Sequence, residues 1–168
     1  MFTVGIITAS DKGFKGERED KSGKLIKEIM TSNGYEVITW DILPDERREI
    51  SKELINMSDN LKLDLILTTG GTGFSPRDWT PEATLDVINR QAPGISEAMR
   101  YYSLQITPKA MLSRGISGIR GKTLIINLPG SPKAVKENLE CILPALKHGL
   151  EILKGISGEC AETESRHL

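Results

Sequence analysis

The stretch "LDLILTTGGTGFSPRDWTPEA", residues 63–83, opens as a nearly unbroken apolar run, passes three glycines in four positions (Gly70, Gly71, Gly73) and closes on Thr80-Pro81. Apolar side chains at successive positions fit a strand covered on both faces, as in a parallel sheet. Thr-Pro reads as a helix start, with Thr80 as the cap and Pro81 at a first-turn position whose amide has no partner to lose. Strand, glycine turn and helix together make half of a βαβ unit.

The chain on either side repeats the alternation. Upstream, "TVGIITAS" (3–10) reads as a buried first strand. The segment "SGKLIKEIMTSNG" (22–34) puts Leu25, Ile26, Ile29 and Met30 on one helical stripe, with Gly34 as its stop. "YEVITWDIL" (35–43) is a second strand ended by Pro44, and Ile50, Leu54, Ile55 and Met57 mark a second amphipathic helix. Downstream, residues 93–112 read as further helix with breaks at Pro93-Gly94 and Pro108. A short strand, a turn at Arg120-Gly121-Lys122 and a strand over 123–128 follow. Ser131-Pro132 repeats the cap-plus-proline start of a last helix carrying Val135, Leu139, Ile142, Leu143 and Leu146, which Pro144 is expected to kink or interrupt. The fold class expected is α/β, a three-layer sandwich around a mostly parallel, Rossmann-like sheet. Residues 1–155 are read as one domain, and the aperiodic 156–168 as a flexible tail.

Composition narrows the function. The chain has 168 residues, and 22 Lys and Arg against 23 Asp and Glu leave a net charge of -1, without the basic field that nucleic acid or anionic lipid requires. The two cysteines, Cys141 and Cys160, form no Cys-x-x-Cys and have no histidine pair nearby, which argues against zinc and against a disulfide scaffold. The N-terminal stretch has no cationic leader, and no apolar run approaches a membrane span. A small-molecule partner and a reducing, cytoplasmic setting are expected.

Glycines between a strand and a helix let backbone amides approach an anion, and phosphate is the obvious guest. The loop is neither Walker A nor the dinucleotide fingerprint: no Gly-Lys pair follows, and Gly71-Thr72-Gly73-Phe74-Ser75 runs into Pro76. A simple chain reversal is the plain alternative. Beside the glycines, Arg77 supplies a planar fork for phosphate oxygens, Asp78 a hard carboxylate suited to Mg²⁺, and Thr80 a hydroxyl. A helix terminus favours an anion by only about 0.3–1 kcal/mol, so a triphosphate would need metal and cations as well. Asp78 is the first metal candidate, with helix capping as its other reading. Asp45 follows the second strand and would face Asp78 across the crevice at the carboxyl ends of a parallel sheet. Its other reading is the N-cap of the helix containing Ile50. A third loop, "NLPGSP" (127–132), ends another strand with Asn127, Gly130 and Ser131 as donors. His148, His167 and Cys141 are isolated and read as structural.

These motifs in combination, "TTGGTGFSPRDWTPEA" (68–83), "ASDKGFKGEREDKSG" (9–23), "LPDE" (43–46) and "MLSRGISGIRGKTLIINLPGSPKA" (111–134), resemble the MogA/MoaB family of molybdenum cofactor biosynthesis over about residues 3–155. Arg77-Asp78-x-Thr80-Pro81-Glu82-Ala83 together with Pro44-Asp45-Glu46 is more similar to the adenylyl-transferring MogA branch than to MoaB. The resemblance implies an enzyme that uses ATP and Mg²⁺ to place AMP on the terminal phosphate of molybdopterin, releasing pyrophosphate. It implies Asp45 and Asp78 as catalytic and metal-holding aspartates, and Gly70, Gly71, Thr72 and Gly73 as the nucleotide loop, to which the residue chemistry adds Arg77 and Thr80. Ser113, Asn127, Pro129, Gly130 and Ser131 would surround the pterin and nucleotide, with Ser10 and Asp11 past the first strand. A homotrimer and transient contact with a molybdotransferase are further implications. The runner-up is a non-catalytic molybdopterin-binding or scaffold protein of the same fold, MoaB-like. The C-terminal region is shorter than in some members, which bears on pocket edges and subunit contacts.

Overall fold

The computed structural model describes residues 1–156. Its element order is β1 (Thr3–Ala9), α1 (Asp11–Phe14), α2 (Lys21–Ser32), β2 (Glu36–Leu43), α3 (Arg47–Ile55), β3 (Leu65–Thr69), α4 (Thr80–Leu85), β4 (Arg90–Gln91), α5 (Pro93–Leu104), β5 (Ser117–Arg120), β6 (Thr123–Leu128) and α6 (Pro132–Lys154). A π-helical turn, Asn56–Asn60, extends α3, and a 3₁₀ turn, Pro108–Leu112, follows α5.

The strands form one six-stranded sheet in the order β2-β1-β3-β6-β5-β4. The β1–β2, β1–β3 and β3–β6 pairs are parallel, whereas β6–β5 and β5–β4 are antiparallel. The antiparallel edge follows from the two-residue turn Gly121-Lys122, too short for a crossover. Alternate side chains of the central strands serve two cores. Ile6, Leu65, Leu67 and Ile126 join Ile26, Met30, Leu139 and Leu146 on one face, and Ile7, Ile66 and Ile125 join Ile50, Leu54 and Ala83 on the other. Helices therefore cover both faces, and the expected three-layer architecture is the observed one.

Four local expectations are corrected. Thr80 is the first residue of α4 and Trp79 its cap; the Thr80 hydroxyl donates to Gly70 O at 2.9 Å. Asp45 does not cap α3, whose cap position is Glu46 without a side-chain bond. Pro93 starts α5 rather than breaking it, as befits a residue with no amide to satisfy. Pro144 leaves α6 uninterrupted from Pro132 to Lys154. Pro144 and Glu140 lie on its exposed side, where water can take the carbonyl freed by the missing amide, while Val135, Leu139, Ile142, Leu146 and Leu150 anchor both halves. The short elements α1 and β4 carry no periodic signal. The tail reading, Cys160 and His167 lie outside the described residues.

Candidate active site

In the order β2-β1-β3-β6 the chain leaves β1 toward one side for β2 and toward the other for β3. The crevice beyond the carboxyl ends of β1 and β3 is therefore a topological switch point, the place where open α/β sheets bind ligands. A cavity of about 810 Å³ opens there, lined by Thr8, Ala9 and Ser10 from the end of β1 and by Thr69, Gly70 and Gly71 from the end of β3.

Gly70 and Gly71 have φ of +89° and +66°. A Cβ on Gly70 would stand 2.3 Å from Ala9 O, and one on Gly71 2.4 Å from Thr80 Oγ1. Only glycine lets the chain turn this tightly against β1. The turn is pinned from α4, where the Thr80 amide donates to Gly71 O at 3.1 Å and the wholly buried Thr80 hydroxyl is committed to Gly70 O. Thr80 thus shapes the loop and has no hydroxyl free for a ligand. Thr72 is also buried, its carbonyl taken by the Arg114 amide at 2.8 Å.

Asp45 and Asp78, from separate strand ends, both line this cavity. Asp45 Oδ2 accepts from the Asp11 amide at 2.9 Å, and the Asp45 amide donates to Asp11 Oδ1 at 3.0 Å. Burial raises the Asp45 carboxyl above the ordinary aspartate range, and the Asp11 and Asp78 charges push the same way, against the Asp11 amide and Arg77. Asp78 Oδ2 accepts from the Ser75 amide at 3.0 Å, which fixes the carboxylate to its own loop instead of to a helix end.

Arg77 does not line the cavity. Its Nε and Nη2 donate to Asp11 at 3.0 and 2.8 Å, a pairing that holds the Asp11 carboxyl below its usual range. The fork expected for phosphate is filled by a carboxylate, and Arg77 and Asp11 stand behind Asp45. Ser10 lines the cavity and caps α1, accepting from the Gly13 amide at 3.0 Å.

The 127–132 loop sits between this cavity and a second one of about 250 Å³, and Ser131 lines both. Gly130 faces the first; Ser113, Asn127 and Pro129 face the second, with Arg100 and Lys109 across from them. Asn127 is buried and fully engaged: Nδ2 donates to Thr68 and Thr84 hydroxyls at 3.0 and 2.9 Å, and Oδ1 accepts from the Ile116 amide at 3.1 Å. It frames the second cavity more than it reaches into it. Ser131 caps α6, accepting from the Ala134 amide at 3.3 Å.

Sequence reasoning missed the 18–22 segment, whose Arg18, Glu19, Asp20, Lys21 and Ser22 all line the first cavity. The available signal was a charged run joining a strand end to a helix start. Asp20 caps α2 through the Gly23 amide at 2.8 Å and accepts from Trp40 Nε1 at 2.9 Å and from the Thr8 hydroxyl. Arg18 and Lys21 form no ion pair among the described residues, which leaves two cations beside the cavity. Cys141 packs between α5 and α6 and donates to Ala98 O at 3.7 Å; burial raises its thiol pKa, so it is no reactive thiolate.

The family model described as "Probable molybdopterin binding domain" matches residues 5–148. The chain belongs to this family. Among its molybdopterin-binding-domain relatives, the molybdopterin adenylyltransferase of Helicobacter pylori (strain J99) is 46% identical over 155 residues, covering 90% of this chain and 88% of that one. The molybdopterin adenylyltransferase of Escherichia coli (strain K12) is 41% identical over 156 residues, 91% of this chain and 78% of that one. The crystal structure of the molybdopterin biosynthesis enzyme MoaB from Thermus thermophilus superposes with a TM-score of 0.88 at 52% identity, covering 92% of this chain and 98% of that one. The expected family and fold are therefore those found. No helix among the described residues is long and apolar enough to cross a membrane.

Proposed function

We propose that this molybdopterin-binding domain is a molybdopterin adenylyltransferase, transferring AMP from ATP to the terminal phosphate of molybdopterin with release of pyrophosphate. The observation that carries the reading is the meeting of Asp45 and Asp78 with the Gly70-Gly71 backbone in one switch-point cavity, joined through Ser131 to a second cavity that includes Ser113. The adenylyltransferase relatives from two bacteria support the same reaction.

The chemistry matches the residues present. The attacking phosphate oxygen is already ionised at neutral pH, so the reaction needs positioning and charge neutralisation more than a general base. Gly70 and Gly71 bring backbone close to the phosphates, and Arg18 and Lys21 supply positive charge for the pyrophosphate that leaves. The second cavity would hold the pterin end, with the Ser113 hydroxyl as one polar contact. Its junction with the first at Ser131 would bring the terminal phosphate to the nucleotide.

Mg²⁺ fits the donor set: it is commonly held by one or two carboxylates plus substrate phosphates and water, and the described residues include no cluster of three or more acidic, histidine or cysteine ligands. Asp45 and Asp78 would hold it, and when bound it would neutralise charge building on the phosphate oxygens. A half-buried Asp45 facing the charges of Asp11 and Asp78 suits a bound cation at a reacting phosphate. Likeness to the Thermus MoaB does not favour a binding-only protein, since MoaB is itself described as an enzyme. From the family resemblance the reading also includes a cytoplasmic homotrimer that passes its product to a molybdotransferase; exposed Tyr101, Ile106, Met111 and Leu112 on α5 and the turn after it supply apolar surface for assembly.

The test is product formation by the purified protein with molybdopterin, ATP and Mg²⁺. Equimolar pyrophosphate and adenylylated molybdopterin are expected; pyrophosphate at background level contradicts the reading.

A further inference from the structure

Arg114 follows Ser113 in the sequence and carries no motif of its own. In the structure it is the point on which the Asp78 loop converges. Its amide donates to Thr72 O at 2.8 Å, its Nε to Gly73 O at 2.7 Å and its Nη2 to Asp78 O at 2.7 Å. The remaining arm, Nη1, pairs with Glu82 Oε1 on α4. The other oxygen, Glu82 Oε2, is buried and has no hydrogen-bond partner among the described residues. Three carbonyls of one short loop are thus tied to one residue from a segment more than thirty positions later.

The consequence reaches the Asp78 side chain. Within the loop the Asp78 amide donates to Ser75 O at 2.9 Å, and Asp78 Oδ2 accepts from the Ser75 amide at 3.0 Å. The 75–78 turn is therefore a small rigid unit that carries the carboxylate with it. Arg114 grips the loop at Gly73, two residues before this unit starts, and at Asp78, its last residue, so the grip decides where the carboxylate stands in the cavity. Arg114 itself lies behind the loop, in a shallow depression with Phe74, Trp79 and Glu82, and is absent from the lining of both the nucleotide cavity and the second cavity.

We propose that Arg114 is a positioning residue that sets Asp78 for the reaction. The inference rests on the reading of Asp78 as an active-site carboxylate. It needs arginine in particular: a planar guanidinium serves two carbonyls and a carboxylate in fixed directions, and a lysine ammonium on a flexible stem does not. Glu82 completes the arrangement by neutralising the guanidinium, with its second oxygen left over as the cost of that geometry.

The test compares wild type with Arg114→Gln, Arg114→Lys, Asp78→Asn and the Arg114→Gln/Asp78→Asn double variant, with rates corrected for the folded fraction. Misplacing a catalytic group by about 1 Å costs on the order of 100-fold. The expected result is a kcat about 10- to 100-fold lower for Arg114→Gln, KM for ATP within about threefold, and no further loss on adding Arg114→Gln to Asp78→Asn. Arg114→Lys, which keeps a charge for Glu82 but not the fork, should lose kcat likewise, and it carries the test where Arg114→Gln does not fold. Wild-type kcat in either variant, or losses that multiply with Asp78→Asn, overturn the proposal. A turnover-free readout separates it from the adenylyl-transfer reading. Hydrogen exchange at the Ser75 and Asp78 amides should quicken in the Arg114 variants whether or not wild type turns over, and unchanged exchange overturns the proposal. An inactive wild type overturns the transfer reading instead.

Discussion

Asp11 and Asp45 exchange hydrogen bonds: each backbone amide donates to the other's carboxylate, at 2.9 and 3.0 Å. Two like charges are thereby locked side by side at neighbouring strand ends. Arg77 neutralises Asp11, and Asp45 is left partly buried, with a raised pKa, facing the cavity. A carboxylate held at such a cost is a natural partner for a cation.

Asp45→Asn should therefore stabilise the apo-protein at neutral pH while removing activity. Asparagine still accepts the Asp11 amide bond but carries no charge to be desolvated. The sign follows from linkage: a carboxyl whose folded pKa is raised penalises folding above that pKa, and the penalty vanishes below the unfolded value of about 3.9. Melting temperature measured against pH should show the variant ahead of wild type at pH 7 and level with it near pH 3. A variant less stable than wild type at pH 7 would mean that the Asp45 charge is compensated in the free protein.

Arg77→Gln should move the acid limb of kcat/KM to higher pH. Arg77 attracts both Asp11 and Asp45 and lowers both carboxyls, so its removal lets both rise. The lowered Asp11 pKa also stabilises the fold at neutral pH and ceases to do so as pH falls through the folded value. Any stability gap between wild type and variant should accordingly close in acid. A pH–rate profile indistinguishable from wild type would detach Arg77 from Asp45.

The loop glycine at position 70 is predicted to be irreplaceable, in contrast with a glycine elsewhere. Gly70→Ala meets a positive φ and the Ala9 carbonyl at 2.3 Å and should cost at least about 2 kcal/mol, a drop of several degrees in a domain of this size. Gly149→Ala, in the exposed interior of α6, where an added Cβ would meet no other part of the described structure within 4 Å, should gain about 0.5–1 kcal/mol through helix propensity. Thermal unfolding of the two variants gives the comparison directly; equal effects would remove the steric account of the loop.

The sheet was legible because its central strands are apolar at successive positions, and the switch-point crevice followed from the alternation of strands and helices. The meeting of Asp45 with Asp78 followed in turn from strand ends. What escaped was set by contacts between distant segments. Arg77 looked like a phosphate fork because the sequence does not show Asp11 within its reach. Thr80 looked like a cap because only the fold turns its hydroxyl toward Gly70. Arg114 and the 18–22 segment were overlooked for the same reason, since charged residues in loops have no period and acquire meaning only from the carbonyls and cavities beside them. Pro144 reads as a kink or interruption in α6, but the anchoring of both halves by one apolar stripe outweighs the lost hydrogen bond.

Pyrophosphate release by wild type, Asp45→Asn, Asp78→Asn and the double variant, at saturating ATP, Mg²⁺ and molybdopterin, tests most directly whether Asp45 and Asp78 act on one metal-bound nucleotide. Each single variant should lose about 100-fold or more in kcat, in line with about 2.7–4 kcal/mol for a preorganised electrostatic group, and the double variant should lose little beyond the worse single one. Wild-type rates in either single variant, or losses that simply multiply, would contradict a shared site.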